Sequence, residues 1–148
     1  MDKLPDLTLT GSDGAPLRLR GLPLPLVVYF YPKDDTTGCT REAQDFSALS
    51  ADFAAIGVHV IGVSKDPPKK HEKFIAKYDL TVALASDEDG SACEAFGTWV
   101  EKSMYGRTYM GIERATFLFG KDGALVQEWR KVKVPGHAAA VLEAARAL

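Results

Sequence analysis

The sequence predicts an α/β domain around a mixed, largely parallel sheet, and three observations predict it. Continuous apolar runs, "PLVVYFY" and "GVHVIGVS", have the length and β-branched or aromatic content of strands buried on both faces. They alternate with segments whose apolar residues recur at helical spacing. The chain also opens and closes with short strands around Gly/Asp turns. Its 148 residues suit a single domain spanning 1–148.

The elements follow in order. "TLTGSDGAPLRL" reads as an N-terminal hairpin, two short strands around a Gly/Asp/Pro turn. The run at 26–31 is the first buried strand, halted by Pro32. From Thr40, Ala43, Phe46, Leu49 and Phe53 recur at helical spacing, with Arg41, Glu42, Asp45 and Asp52 on the other faces. Residues 57–64 form a second buried strand, and 66–79 a helix whose prolines stand at its start, where they are tolerated. "TVALASDEDG" is a short strand running into an acidic turn, and "SACEAFGTW" a short helix ended by Gly97. "KSMYGRTYMGIE" reads as a loop covering the fold, because a net charge of −2 argues against a basic-aromatic nucleic-acid patch. Residues 114–130 form a hairpin around Lys121-Asp122-Gly123, and "PGHAAAVLEAARAL" closes the chain as a helix. Strand–helix alternation gives a parallel core with right-handed crossovers, and the closing hairpin adds an antiparallel edge. This is the thioredoxin-like arrangement with an N-terminal β-hairpin extension: a central mixed sheet flanked by helices, with an extra helix before the final hairpin.

Composition narrows the function. The chain is 46% hydrophobic and 26% charged, an ordinary globular balance, and its charge gives no drive toward nucleic acid or anionic membranes. No apolar run approaches the roughly 20 residues of a membrane span, and "MDKLPDLTLT" lacks the apolar core of a signal peptide. Two cysteines are too few for a secreted disulfide framework, so a reducing cytoplasm is the expected compartment. His59, His71 and His137 lie far apart, and none is paired in spacing with a cysteine, so no metal site is expected. Trp99 and Trp129 are read as packing residues.

The chemistry concentrates at Cys39, between strand and helix in "YFYPKDDTTGCTREAQDF". Sites in α/β sheets form at the carboxyl ends of strands. A helix start offers free N–H groups and the positive end of the dipole, and both favour thiolate over thiol. Thr36 and Thr37 bring hydroxyls, and Arg41 brings a positive charge or points to solvent. A cysteine alone is as readily a small packed residue. Pro32-x-x-x-Thr36-x-x-Cys39 on a strand–turn–helix is far more specific.

That segment resembles the active-site segment of the peroxiredoxins, thiol peroxidases on a thioredoxin-like fold. "SDEDGSACEAFGTWVEKSMYGRTYMGIERATFLF" is similar to the bacterioferritin comigratory protein, or peroxiredoxin Q, branch. The resemblance covers essentially the whole chain. It implies a peroxidase without metal, haem or flavin, reducing hydrogen peroxide and organic hydroperoxides. Cys39 matches the peroxidatic cysteine, whose thiolate becomes sulfenic acid. Thr36 matches the threonine that hydrogen-bonds the thiolate and the incoming peroxide, and Pro32 the proline that shields the site. Arg114 matches the arginine that stabilises negative charge, a role that suits an always-charged guanidinium. Glu42 either orients Arg114 or is a solvated helix carboxylate.

The chain departs from the branch at the resolving cysteine. Many members carry one where Gln44 stands, others where Ile75 stands. The remaining thiol, Cys93, is expected to be buried beside Ala92, Ala95 and Phe96. A one-cysteine cycle follows, with thioredoxin, glutaredoxin or a small thiol as reductant. The alternatives are a two-cysteine cycle resolved by Cys93, and a non-turnover redox sensor or holdase. A disulfide oxidoreductase is disfavoured, since Glu42 stands where a Cys-x-x-Cys motif needs its second thiol. A monomer is expected.

Overall fold

In the computed structural model, which describes residues 1–148, the N-terminal hairpin pairs β1 (Thr8–Gly11) with β2 (Pro16–Arg18). Three parallel strands follow: β3 (Leu26–Phe30), β4 (His59–Ser64) and β5 (Ala83–Ser86). Between β3 and β4 run α1 (Thr37–Ala48) and α2 (Ser50–Ala55), and between β4 and β5 runs α3 (Pro68–Tyr78). After β5 come α4 (Ser91–Ala95), a hairpin of β6 (Trp99–Met104) and β7 (Arg107–Ile112), and a hairpin of β8 (Ala115–Phe119) and β9 (Leu125–Trp129). The last element is α5 (His137–Arg146). The main sheet runs β2-β1-β5-β4-β3-β8-β9, with β1 antiparallel to β5 and β8 antiparallel to β3.

Side-chain alternation along β3 divides the core in two. Val27, Tyr29 and Tyr31 face one layer, built with Phe46 of α1, Phe53 of α2, Phe74 of α3 and Val141 of α5. Leu26, Val28 and Phe30 face the other, built with Ala92 and Cys93 of α4, Phe96, and Ile112 of β7. Both parallel crossovers therefore cover the same face, as right-handed connections running in one direction require. Gly62 of β4 serves that face. A Cβ there would fall 2.5 Å from the Tyr29 ring, which stacks on Phe46 at 4.6 Å.

Two expectations change. The segment expected as a covering loop, "KSMYGRTYMGIE", lies in the two-stranded β6–β7 hairpin, turning at Tyr105 and Gly106, both at positive φ (52° and 77°). Right-handed strand twist favours such turns. The hairpin stands outside the main sheet and is exposed along most of its length, so no apolar alternation announced it. The helix expected from Thr40 through Phe53 begins earlier, at Thr37, and divides at Leu49. Apolar spacing cannot reveal that division, because Phe46 and Phe53 reach the same core from either side of it.

Candidate active site

Pro32 and Thr36 lie in the connection between the carboxyl end of β3 and α1. Thr36 is the N-cap residue of α1, and its carbonyl accepts the first helical bond, from the Thr40 N–H, at 2.8 Å. Cys39 stands in the first turn, where backbone N–H groups have no helical partner, and is buried, 1% exposed. Its sulfur lies 3.4 Å from Nη2 of Arg114. Strand register explains a contact across 75 residues. β8 runs antiparallel to β3 and pairs Ala115 with Phe30, so the residue just before β8 arrives where the cysteine loop begins. Gly38 leaves space for the guanidinium, since a Cβ there would stand 3.1 Å from Nη2.

The second arm of Arg114 donates from Nη1 to Oε1 of Glu42 at 2.7 Å. Glu42 is not solvated; its side chain is 1% exposed. Burial pushes its carboxyl up to about 7, against the downward pull of Arg114. The backbone around Arg114 is held separately. Val132 donates its N–H to the Arg114 carbonyl, and Arg130 bonds Glu113 (2.8 Å) and the carbonyls of Phe96 and Gly97 that end α4. His137, bonded through Nε2 to Thr116, is held down at about 4 by burial and by Arg114, so it adds no charge here near neutral pH.

The remaining expected residues take different places. Pro32 is half-buried beside the loop. Thr36 is exposed, and its hydroxyl donates to the Lys33 carbonyl at 2.9 Å rather than to the Cys39 sulfur. That leaves its oxygen as an acceptor. Thr37 is exposed, and Arg41 turns outward to pair with Asp45 at 3.1 Å. Trp99 packs on the second core beneath Lys65, and Trp129 on the first.

Cys93 lies on the opposite face of the sheet from Cys39 and is fully buried. Burial, with Asp87 beside it, pushes its thiol up to about 12. The Asp87 carboxylate caps α4 by accepting the N–H groups of Ala92 and Cys93. Gln44 is exposed on α1, and Ile75 packs from α3 against the layer that holds Cys39.

Sequence reasoning passed over Asp34 and Asp66 and set His71 aside for want of a partner nearby in sequence, yet the ligand-type atoms of the three gather within 4.8 Å of one another. Hydrogen bonds to one another and to neighbouring groups engage these side chains. The available signal was the pair of aspartates in "PKDDTTGC".

Comparison with known proteins identifies the family. Residues 1–128 match the model of the AhpC/TSA family. The peroxiredoxin Bcp of Xanthomonas campestris is 50% identical over 143 residues, 96% of this chain and 89% of that protein. The peroxiredoxin Bcp of Bacillus subtilis is 46% identical, over 95% of this chain and 90% of its own. Among solved structures, the bacterioferritin comigratory protein of X. campestris, described for its alkyl peroxide reduction, superposes with a TM-score of 0.88 at 49% identity, covering 95% of this chain and 90% of that one. The Xylella fastidiosa PrxQ superposes at 0.92 with 42% identity, covering 99% and 94%. A buried thiol beside a guanidinium at a helix start, on this fold and with these relatives, places the chain in the AhpC/TSA family as a peroxiredoxin of the Bcp/PrxQ branch, a thiol-dependent peroxidase.

Proposed function

We propose that Cys39 is the peroxidatic residue and that it works in a one-cysteine cycle. The observation that carries this is the Arg114 guanidinium on the Cys39 sulfur, at the N-terminal turn of α1. The thiolate attacks one oxygen of hydrogen peroxide or an organic hydroperoxide. An S–O bond forms, the O–O bond breaks, and the leaving oxygen takes a proton to depart as water or an alcohol. Sulfur is oxidised to sulfenic acid. Arg114 stabilises the thiolate and the charge on the leaving oxygen. Thr36, its hydrogen committed to Lys33, accepts the O–H of the bound peroxide. Pro32 shields the site without offering a competing donor.

An outside thiol then reduces the sulfenic acid: thioredoxin, glutaredoxin or a small thiol. Residue 44 is Gln and residue 75 is Ile, so neither position supplies a thiol. Cys93 is separated from Cys39 by the sheet, whereas a disulfide needs Cα atoms within about 7 Å. We read the protein as a cytoplasmic monomer.

The test is single-turnover peroxide consumption without reductant. Cys39→Ser should abolish it and Cys93→Ser should leave it near wild type. Arg114→Ala should slow it on the order of 10²-fold or more, the usual consequence of removing one positioned donor. Substantial consumption by Cys39→Ser removes the assignment of Cys39. Rapid, quantitative formation of a Cys39–Cys93 disulfide removes the one-cysteine cycle and leaves the peroxidatic role standing.

A further inference from the structure

The loop that carries Pro32 and Thr36 has little regular backbone pairing of its own. Tyr31 donates its N–H to Val63 at the loop's start, and the helix ladder resumes at Thr36. Between them, side chains hold the loop. Asp34 and Asp35 are adjacent yet turn in opposite directions, and both fasten to α3.

Asp35 adopts a left-handed conformation (φ 60°), which aspartate tolerates better than most residues. Its carboxylate receives Lys77 at 2.8 Å and the Tyr78 hydroxyl at 2.5 Å on the surface. Asp34 turns inward. Its side chain is 0% exposed, a costly place for a carboxylate unless every oxygen is bonded. Oδ1 accepts from the Tyr31 hydroxyl at 2.6 Å, and Oδ2 stands 2.6 Å from Nδ1 of His71. The backbone N–H of Asp34 donates to Asp66 just before α3 at 2.8 Å.

His71 is fully buried, and its other nitrogen, Nε2, lies 3.1 Å from the carbonyl of Ala85 in β5. A carbonyl only accepts, so Nε2 carries a hydrogen. At 2.6 Å, a hydrogen must also lie between Nδ1 and Oδ2, whichever atom owns it. The imidazole thus bridges β5 to the loop from α3, with both nitrogens used.

We propose that His71 is a positioning residue for peroxide attack: with Asp34 it locks the Pro32–Thr36 loop onto α3 and β5, and so sets where the first turn of α1 holds Cys39. The inference rests on the peroxidatic reading of Cys39. The reason is that sulfur and guanidinium are anchored independently. Arg114 hangs from the start of β8, fixed through Val132 and the Glu113–Arg130 pair. Cys39 is placed by α1, whose start follows directly on the clamped loop. A 3.4 Å contact between two separately held elements survives only if both anchors are firm. Displacements near 1 Å can cost on the order of 10²-fold in rate.

The test compares wild type with His71→Leu, which deletes both bonds, and His71→Asn, whose amide can still donate toward Asp34. The readouts are the single-turnover rate of Cys39 oxidation by hydrogen peroxide and the pH profile of Cys39 alkylation, with circular dichroism confirming the fold. We expect His71→Leu to slow oxidation by at least about tenfold and to move the alkylation profile to higher pH, with His71→Asn recovering most of both. A folded His71→Leu protein with wild-type rate and profile overturns the proposal. Should His71→Leu fail to fold, Asp34→Ala, which removes the acceptors of both Tyr31 and His71, carries the same comparison, and wild-type rate and profile there overturn it equally. Cys39→Ser is run alongside. Peroxide consumption that survives in it condemns the peroxidatic reading itself, a result distinct from an unaffected His71 variant.

Discussion

At the scale of single residues, the site is governed by where charge is buried. Arg114 lies between two acidic groups, the Cys39 thiol and the Glu42 carboxyl, with one guanidinium arm on each. A planar fork can do this and a lysine ammonium cannot in the same way. Glu42 is buried with one oxygen on Arg114 and the other, Oε2, without a partner, which explains why burial outweighs the ion pair. The sign of its effect on stability follows. Its folded value, about 7, lies above the ordinary 4.5, so the folded state binds this proton more tightly than the unfolded chain. The contribution is fully present below pH 4.5 and is lost as pH rises through 7. Glu42→Gln should remove that loss. Denaturant titrations from pH 4.5 to 7.5 should show the stability of wild type falling relative to Glu42→Gln as pH rises, with parallel curves as the contrary result.

At the scale of elements, α1 decides how the oxidised enzyme behaves. Gln44 lies five residues beyond Cys39, and residues at that spacing do not face one another on an intact helix. A cysteine at residue 44 could reach Cys39 only if the first turns unwound. With Gln there, and with the loop before α1 fastened to α3, this helix start has no built-in reason to open. Wild-type protein given one equivalent of peroxide should therefore trap dimedone at Cys39, and excess peroxide should drive the same sulfur to sulfinic acid. Gln44→Cys should lower both signals, by diverting Cys39 into a disulfide, only if the helix start can open, as read by mass spectrometry. Unchanged signals in Gln44→Cys would show that the helix start stays closed even when a partner thiol is offered.

The whole molecule keeps its two thiols in separate layers. Four helices cover one face of the sheet and hold Cys39, whereas α4 and the β6–β7 hairpin cover the other, and Cys93 is packed there. Burial and Asp87 hold Cys93 as a thiol far above neutral pH. Its alkylation should therefore require global opening rather than local fraying. Pulsed alkylation across a denaturant series should find Cys93 modification following the unfolding curve, with Cys39 modified well before it. Rapid modification of Cys93 in the native protein would contradict the layered arrangement.

The sequence alone marked the main strands and helices and pointed to a candidate reactive centre, because both readings rest on local patterns. Apolar runs and helical spacing marked the main strands and helices. Pro32, Thr36 and Cys39 fall within one strand–turn–helix, so eight consecutive positions sufficed to propose a site. Arg114 was nameable only through a resemblance, since nothing local ties it to Cys39. Tertiary structure decided the rest. The Ala115–Phe30 register carried Arg114 to the sulfur. Burial turned Glu42 from a possible surface carboxylate into the second partner of that guanidinium. Stacking of helices on one face brought His71 beneath Asp34 and put a sheet between the thiols. Spacing along a chain records which side chains share an element. It does not record which elements lie side by side, and the charge balance of this site is set between elements.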